Sequence, residues 1–175
     1  MTLNTDGLTM LHLGLGSFHR AHQAIYLQNL IDSGETHWSL AGGNLRPDMA
    51  ETIAALQQQD GQYTLETVTP AGERRYQRIS SIRRVISYEP SLAGLITLGA
   101  AADTRIISFT VTEAGYSLDA KTRSDLNFAD LASDVEWARR AEPGQTIYGA
   151  LVAILRARMA ADGGKVTLLN CDNLR

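Results

Sequence analysis

An apolar run, Leu8 to Leu13, breaks at Gly14-Leu15-Gly16, and beyond it Ala21, Ala24, Ile25, Leu27 and Leu30 recur at helical spacing until Gly34. A short buried strand that stops at a glycine and leads directly into a helix has few folds open to it. Alternation of strand and helix in this manner argues for an α/β fold with a mainly parallel sheet.

The remainder of the chain repeats that rhythm. His37 to Ala41 reads as a second short strand, ended by Gly42-Gly43, and Pro47-Asp48 suits the first turn of a helix carrying Met49, Ile53 and Leu56 on one face until Asp60-Gly61. The pattern then changes to Tyr63–Val68, a Pro70-Ala71-Gly72 turn and a returning strand from Arg75 to Ile82, an antiparallel hairpin; Val85 to Ser87 adds extended chain. Leu92 to Ala101 is helix-like. Arg105 to Val111, RIISFTV, is β-branched and nearly continuous, as suits a strand covered on both faces. Helices follow at Leu126–Arg140 and Gln145–Ala161, then a buried strand from Lys165 to Leu169. The expected fold class is α/β: a mainly parallel sheet flanked by helices, with an antiparallel hairpin insertion.

The glycine turn has a chemical reading. Gly14 permits the tight turn, and Gly16 lets backbone approach a pyrophosphate with no Cβ in the way. The helix that follows offers N–H groups and a partial positive charge to phosphate, and Arg20, one turn in, supplies a guanidinium. In the pattern GxGxxG the third glycine falls at position 19, where this chain has His19. A purely structural turn remains open. A metal pair, His19 with His22, is the least favoured reading, because zinc takes three or four ligands and no Cys pair or HExxH accompanies them.

In such units an acid after the second strand binds ribose hydroxyls, and Asp48 is the candidate; its bland role is charge at a helix start. Arg46 beside it suits a 2′-phosphate, so NAD is expected with NADP as the lesser option. Thr112 and Glu113, closing the RIISFTV stretch, fall where the nicotinamide half of a cofactor lies, or else in a solvated loop. Asn170, Asp172 and Asn173 end the last strand on the same rim, as oxygen-polarising groups or as turn caps.

Composition narrows the partners. A net charge of -3 gives no electrostatic case for nucleic acid or an anionic membrane, and no window reaches the length of a membrane helix. Cys171 is the only cysteine, so the expected setting is reducing and cytoplasmic; the start MTLNTDGLTM does not read as a signal peptide. Lysine occurs only at Lys121 and Lys165, which leaves few places for a lysine base.

Four stretches, LHLGLGSFHRAHQAIYL (11–27), QDGQYTLE (59–66), RIISFTVTEAGY (105–116) and TLLNCDNLR (167–175), together resemble the N-terminal Rossmann domain of the mannitol dehydrogenase family, the polyol-specific long-chain dehydrogenases. AGGNLR (41–46) is most similar to the D-arabinitol members. The resemblance implies a Rossmann-like fold and an NAD-dependent, zinc-independent oxidation of a small-molecule polyol, D-arabinitol or mannitol, to its ketose. It implies cofactor contacts at Gly14, Gly16, Ser17 and Phe18, a coenzyme-selecting role for Asp48, and a catalytic role for Asn173 in polarising the reacting oxygen. The family's second coenzyme-selecting acid aligns with Met49. Its catalytic lysine belongs to a Lys-x4-Asn-x2-His motif in a helical C-terminal domain. That motif is not found here, so residues 1–175 are expected to be a cofactor-binding portion, inactive alone. The other functions weighed are a non-catalytic NAD-binding module and an S-adenosylmethionine-dependent methyltransferase, which also uses a glycine loop after its first strand.

Overall fold

The computed structural model describes residues 7–111, 128–140, 142–144 and 146–172. Five strands form one parallel sheet: β1 (Leu8–Leu13), β2 (Trp38–Gly43), β5 (Ile82–Ile86), β6 (Thr104–Phe109) and β7 (Thr167–Asn170), in the order β5-β2-β1-β6-β7. The hairpin expected from the sequence is a separate two-stranded antiparallel sheet, β3 (Tyr63–Val68) and β4 (Arg74–Ile79), in register from Tyr63 opposite Ile79 to Val68 opposite Arg74.

Alternation along β1 builds the core on both faces. Leu11 and Leu13 face one way and join Ile107 and Phe109 of β6 beneath α4 (Ala93–Ala100) and α6 (Ile147–Ala160). Met10 faces the other way, toward the cluster of Leu15, Ala24, Leu27, Leu40, Ile53, Leu56, Ile79 and Ile82. That second cluster lies beneath α2 (Gln23–Asp32) and α3 (Ala50–Gln58). A side chain as deeply buried as Leu11, with no exposed surface, contributes about 2 kcal/mol. The helices thus cover opposite faces, and all five carboxyl ends of the parallel strands open on one rim.

Four expectations shift. The helix foreseen from His19 to Leu30 begins earlier, as α1 (Ser17–Ala21), and breaks at His22 (φ -133°, ψ -82°) before α2. The second strand runs through Gly42-Gly43 rather than stopping there. At Gly42 a Cβ would come 2.9 Å from the Leu15 side chain and 2.7 Å from the His12 carbonyl oxygen, so that glycine serves close packing rather than a turn. The returning strand ends at Ile79 rather than Ile82, and Ile82 joins the extended chain expected at Val85 to form β5, parallel to β2 in the main sheet. Finally, β7 is exposed along its whole length, as an edge strand that among the described strands pairs with β6 alone. Pro47–Met49 form a single 3-10 turn leading into α3. Residues 112–127, which hold the start of the helix expected at Leu126, lie outside the described residues, and the remainder of that helix is α5 (Phe128–Arg139).

One buried cation ties the second half together. Arg158, on α6 and 3% exposed, donates from Nη1 to the carbonyls of Gly99 (2.9 Å) and Ala101 (2.7 Å), from Nε to Gly164 (2.8 Å), and from Nη2 to Gly163 and Lys165. A planar fork of five N–H donors is matched to this ring of carbonyls, and no other side chain offers it. Arg158→Met fills the space but leaves the carbonyls unpaired, and is expected to lower stability by about 3 kcal/mol in urea unfolding. A loss under about 1 kcal/mol would show that the carbonyls need no such partner.

Candidate functional site

The crevice lies between the carboxyl ends of β1 and β6, where the crossovers leave the sheet toward opposite faces. The loop Gly14-Leu15-Gly16 follows β1 there. Gly14 has φ +117°, and a Cβ on it would stand 3.1 Å from the Thr110 carbonyl oxygen and 3.6 Å from Thr110 Oγ1. Both the conformation and the space therefore require glycine. Gly16 differs: its backbone is ordinary extended chain (φ -71°, ψ 178°), and no atom of the described residues lies within 4 Å of the position its Cβ would take. Packing among the described residues does not ask for glycine at position 16. The space beside it is open.

The loop is bolted down from below. Leu15 is fully buried, and its N–H donates to Oδ1 of the buried Asn44 at 2.7 Å. Gly14 N–H donates to the Gly43 carbonyl at 2.9 Å and Gly16 N–H to the Gly14 carbonyl at 2.8 Å. Above it, the first turn of α1 takes no side-chain cap, and Ser17 and Phe18 are exposed. Arg20 sits alongside, its Nε donating weakly to the Gly16 carbonyl (3.4 Å), while its own carbonyl accepts the Tyr63 hydroxyl at 2.5 Å. Burial raises Tyr63 to a pKa of about 12, so this hydroxyl stays a donor.

Beneath the loop is a polar cluster that the sequence reading did not single out. His12, fully buried, hydrogen bonds through Nδ1 with Ser108 Oγ (2.8 Å) and through Nε2 with Thr110 Oγ1 (3.2 Å). Its ring stacks on that of His19, centroids 3.8 Å apart and planes 12° from parallel. His19 Nδ1 pairs with Gln23 Oε1 (2.8 Å), and Gln23 Nε2 donates to Cys171 Sγ (2.8 Å). Burial, aided by the charge of the neighbouring ring, lowers His12 to about 2, and burial lowers His19 to about 4. Both rings are neutral at pH 7, as a close stack requires. The one hint in the sequence is a histidine within the largely apolar first strand.

The histidines do not converge on a metal. His19 turns inward and is buried, whereas His22 is exposed, stacked on Phe18 (4.9 Å, 16°) and edge-on to Tyr26 (4.7 Å). Among the described residues no group of three or more His, Cys, Asp and Glu is placed to hold a metal ion.

Asp48 is exposed in the 3-10 turn beyond β2, on the same rim as the loop, with Arg46 exposed just before it. Asn170 and Asp172 serve as turn caps: Asn170 Oδ1 accepts the Asp172 N–H at 2.8 Å, and both Asp172 carboxylate oxygens accept the Val111 N–H at 3.0 and 3.1 Å. Asp172 thereby fastens the end of β7 to the end of β6. Thr112, Glu113 and Asn173 lie outside the described residues.

Known proteins match this arrangement. D-arabinitol 4-dehydrogenase of Klebsiella pneumoniae is 48% identical over 167 residues, covering 95% of this chain and 36% of the relative. The protein of the same name from Ralstonia nicotianae is 52% identical over 169 residues, covering 95% and 35%. A structure of Pseudomonas fluorescens mannitol 2-dehydrogenase, a ternary complex with NAD and D-mannitol, superposes with a TM-score of 0.83 at 32% identity, covering 99% of this chain and 35% of that one. The chain therefore spans about a third of the length of the proteins it matches. A family model described as the mannitol dehydrogenase Rossmann domain matches residues 8–175, and on that match the chain belongs to the mannitol dehydrogenase family.

Proposed function

We propose that this chain is the NAD-binding portion of a polyol dehydrogenase that oxidises D-arabinitol or mannitol to the ketose without zinc. The observation that carries the reading is the open space at Gly16, on the carboxyl rim of a parallel sheet at its switch point, in a member of this family. A Cβ there meets none of the described residues, which fits a group that approaches from outside. A diphosphate against bare backbone is the chemistry such a loop accepts. The likeness to a mannitol 2-dehydrogenase complexed with NAD supports it.

The roles divide along the rim. Gly14 and Gly16 shape the loop, the first-turn backbone at Ser17 and Phe18 faces the phosphates, and Arg20 places a cation beside them. Asp48 accepts hydrogen bonds from the adenosine ribose, a preference that favours NAD over NADP. Thr112 and Glu113 border the nicotinamide half, and Asn173 polarises the substrate oxygen; these three assignments rest on the family motif. NAD, when bound, supplies the hydride acceptor for the alcohol carbon. The alcohol proton must leave to a positioned base as the carbonyl forms. None of the described residues is placed for that task, and the base is assigned to a helical domain beyond this chain.

Two outcomes are expected. Gly16→Ala leaves thermal stability unchanged, because its Cβ is unopposed, yet weakens NADH binding by about tenfold or more in a fluorescence titration. Unchanged affinity would remove the diphosphate from this loop. In the intact protein, D-arabinitol or mannitol drives NAD reduction after exhaustive chelation. Activity that disappears with the metal and returns on adding zinc would overturn the zinc-free chemistry.

A further inference from the structure

We propose that His19 is a positioning residue for the dinucleotide loop, its ring stacked on His12 to fix the loop's height above the sheet. This deepens the cofactor reading and rests on it. The third glycine of an ordinary GxGxxG loop keeps the helix close against the first strand. Here the same position carries a buried imidazole that lies between α1 and β1.

Three observations carry the role. The stack bridges the loop: His12 lies two residues before Gly14 and His19 three residues after Gly16, so the ring contact joins the two sides of the turn. His12 is itself held from β6, by Ser108 and Thr110, and the Thr110 carbonyl borders the Gly14 Cα. The loop's position is thereby referred to the neighbouring strand across the crevice as well as to its own. The chain also accommodates the ring: α1 ends after five residues, and the backbone departs from helix at His22 before α2 begins.

His19 Nε2, buried, has no hydrogen-bond partner among the described residues. A buried polar atom that no described residue pairs is a cost that a leucine would avoid, so the value of the ring lies in its flat shape against His12. Gln23, through Nδ1, sets the plane of that ring.

The test compares shapes of similar bulk in the intact protein. His19→Leu keeps an apolar group but loses the flat face. His19→Phe keeps the face and loses both nitrogens. NADH affinity is expected to fall about tenfold or more in His19→Leu and to stay within about threefold of the unmodified protein in His19→Phe, with both folded by circular dichroism. Equal losses in the two variants, or none in His19→Leu, would overturn the positioning role. If His19→Leu does not fold, His12→Leu against His12→Phe reads the same contact from the strand side by the same criterion. Gly16→Asp is the control that separates the two readings. If it leaves NADH binding intact, the cofactor assignment itself fails and this role with it. If it abolishes binding while His19→Leu does not, only the positioning role is lost.

Discussion

The pairing of β1 with β6 is the constraint from which the rest of the molecule follows. These strands lie almost a hundred residues apart in the chain, yet His12 faces Ser108 and Leu13 faces Phe109 in parallel register. Because β2 takes the other edge of β1, the crossovers leave in opposite directions and their helices cover opposite faces. A crevice opens where they part, and the loop after β1 lies in it. Non-local pairing of this kind requires a large loop to close before any contact is gained. The apolar side chains of β1 and β6, packed beneath α4 and α6, offset that cost.

What the sequence made legible is local. Gly14-Leu15-Gly16 after an apolar run announced a turn between strand and helix, because glycine's freedom at positive φ is a property of one residue. Tyr63–Val68 and the Pro70-Ala71-Gly72 turn announced the hairpin for the same reason. What escaped was set by tertiary context. Gly42-Gly43 looked like a stop, and only Leu15 against Gly42 and Ile86 against Gly43 show why the strand continues through them. Ile82 read as the end of the returning strand and Val85 as the start of separate extended chain, and only the register with β2 joins them in one strand. The apolar run ending in Leu168-Leu169 looked buried, but an edge strand can stay exposed whatever its composition.

The site divides along the same line. The turn at Gly14 and the exposed place of Asp48 beyond β2 were readable, because each is set by residues adjacent in the chain. His19 and His22 were readable as a pair only by spacing. The break at His22 sends one ring to the core and the other to the surface. Asn44, which takes the Leu15 N–H, is invisible without the fold: it is an asparagine after two glycines, a setting that reads as a turn. Asp172 and Asn170 are the converse, polar residues on the right rim that serve to cap the strand ends.

The outer flank of β7 has a consequence for handling the chain by itself. Among the described residues no strand lies beside the outer edge of Thr167–Leu169, which carries the half-bared Leu168 and Leu169. Such a border is a template for adding strands, and proteins usually blunt it with lysine, proline or a bulge. None of these lies within β7. Concentrated solutions of this polypeptide would accordingly be prone to join edge to edge, and a lysine at Leu168 or Leu169 is the natural solubilising change.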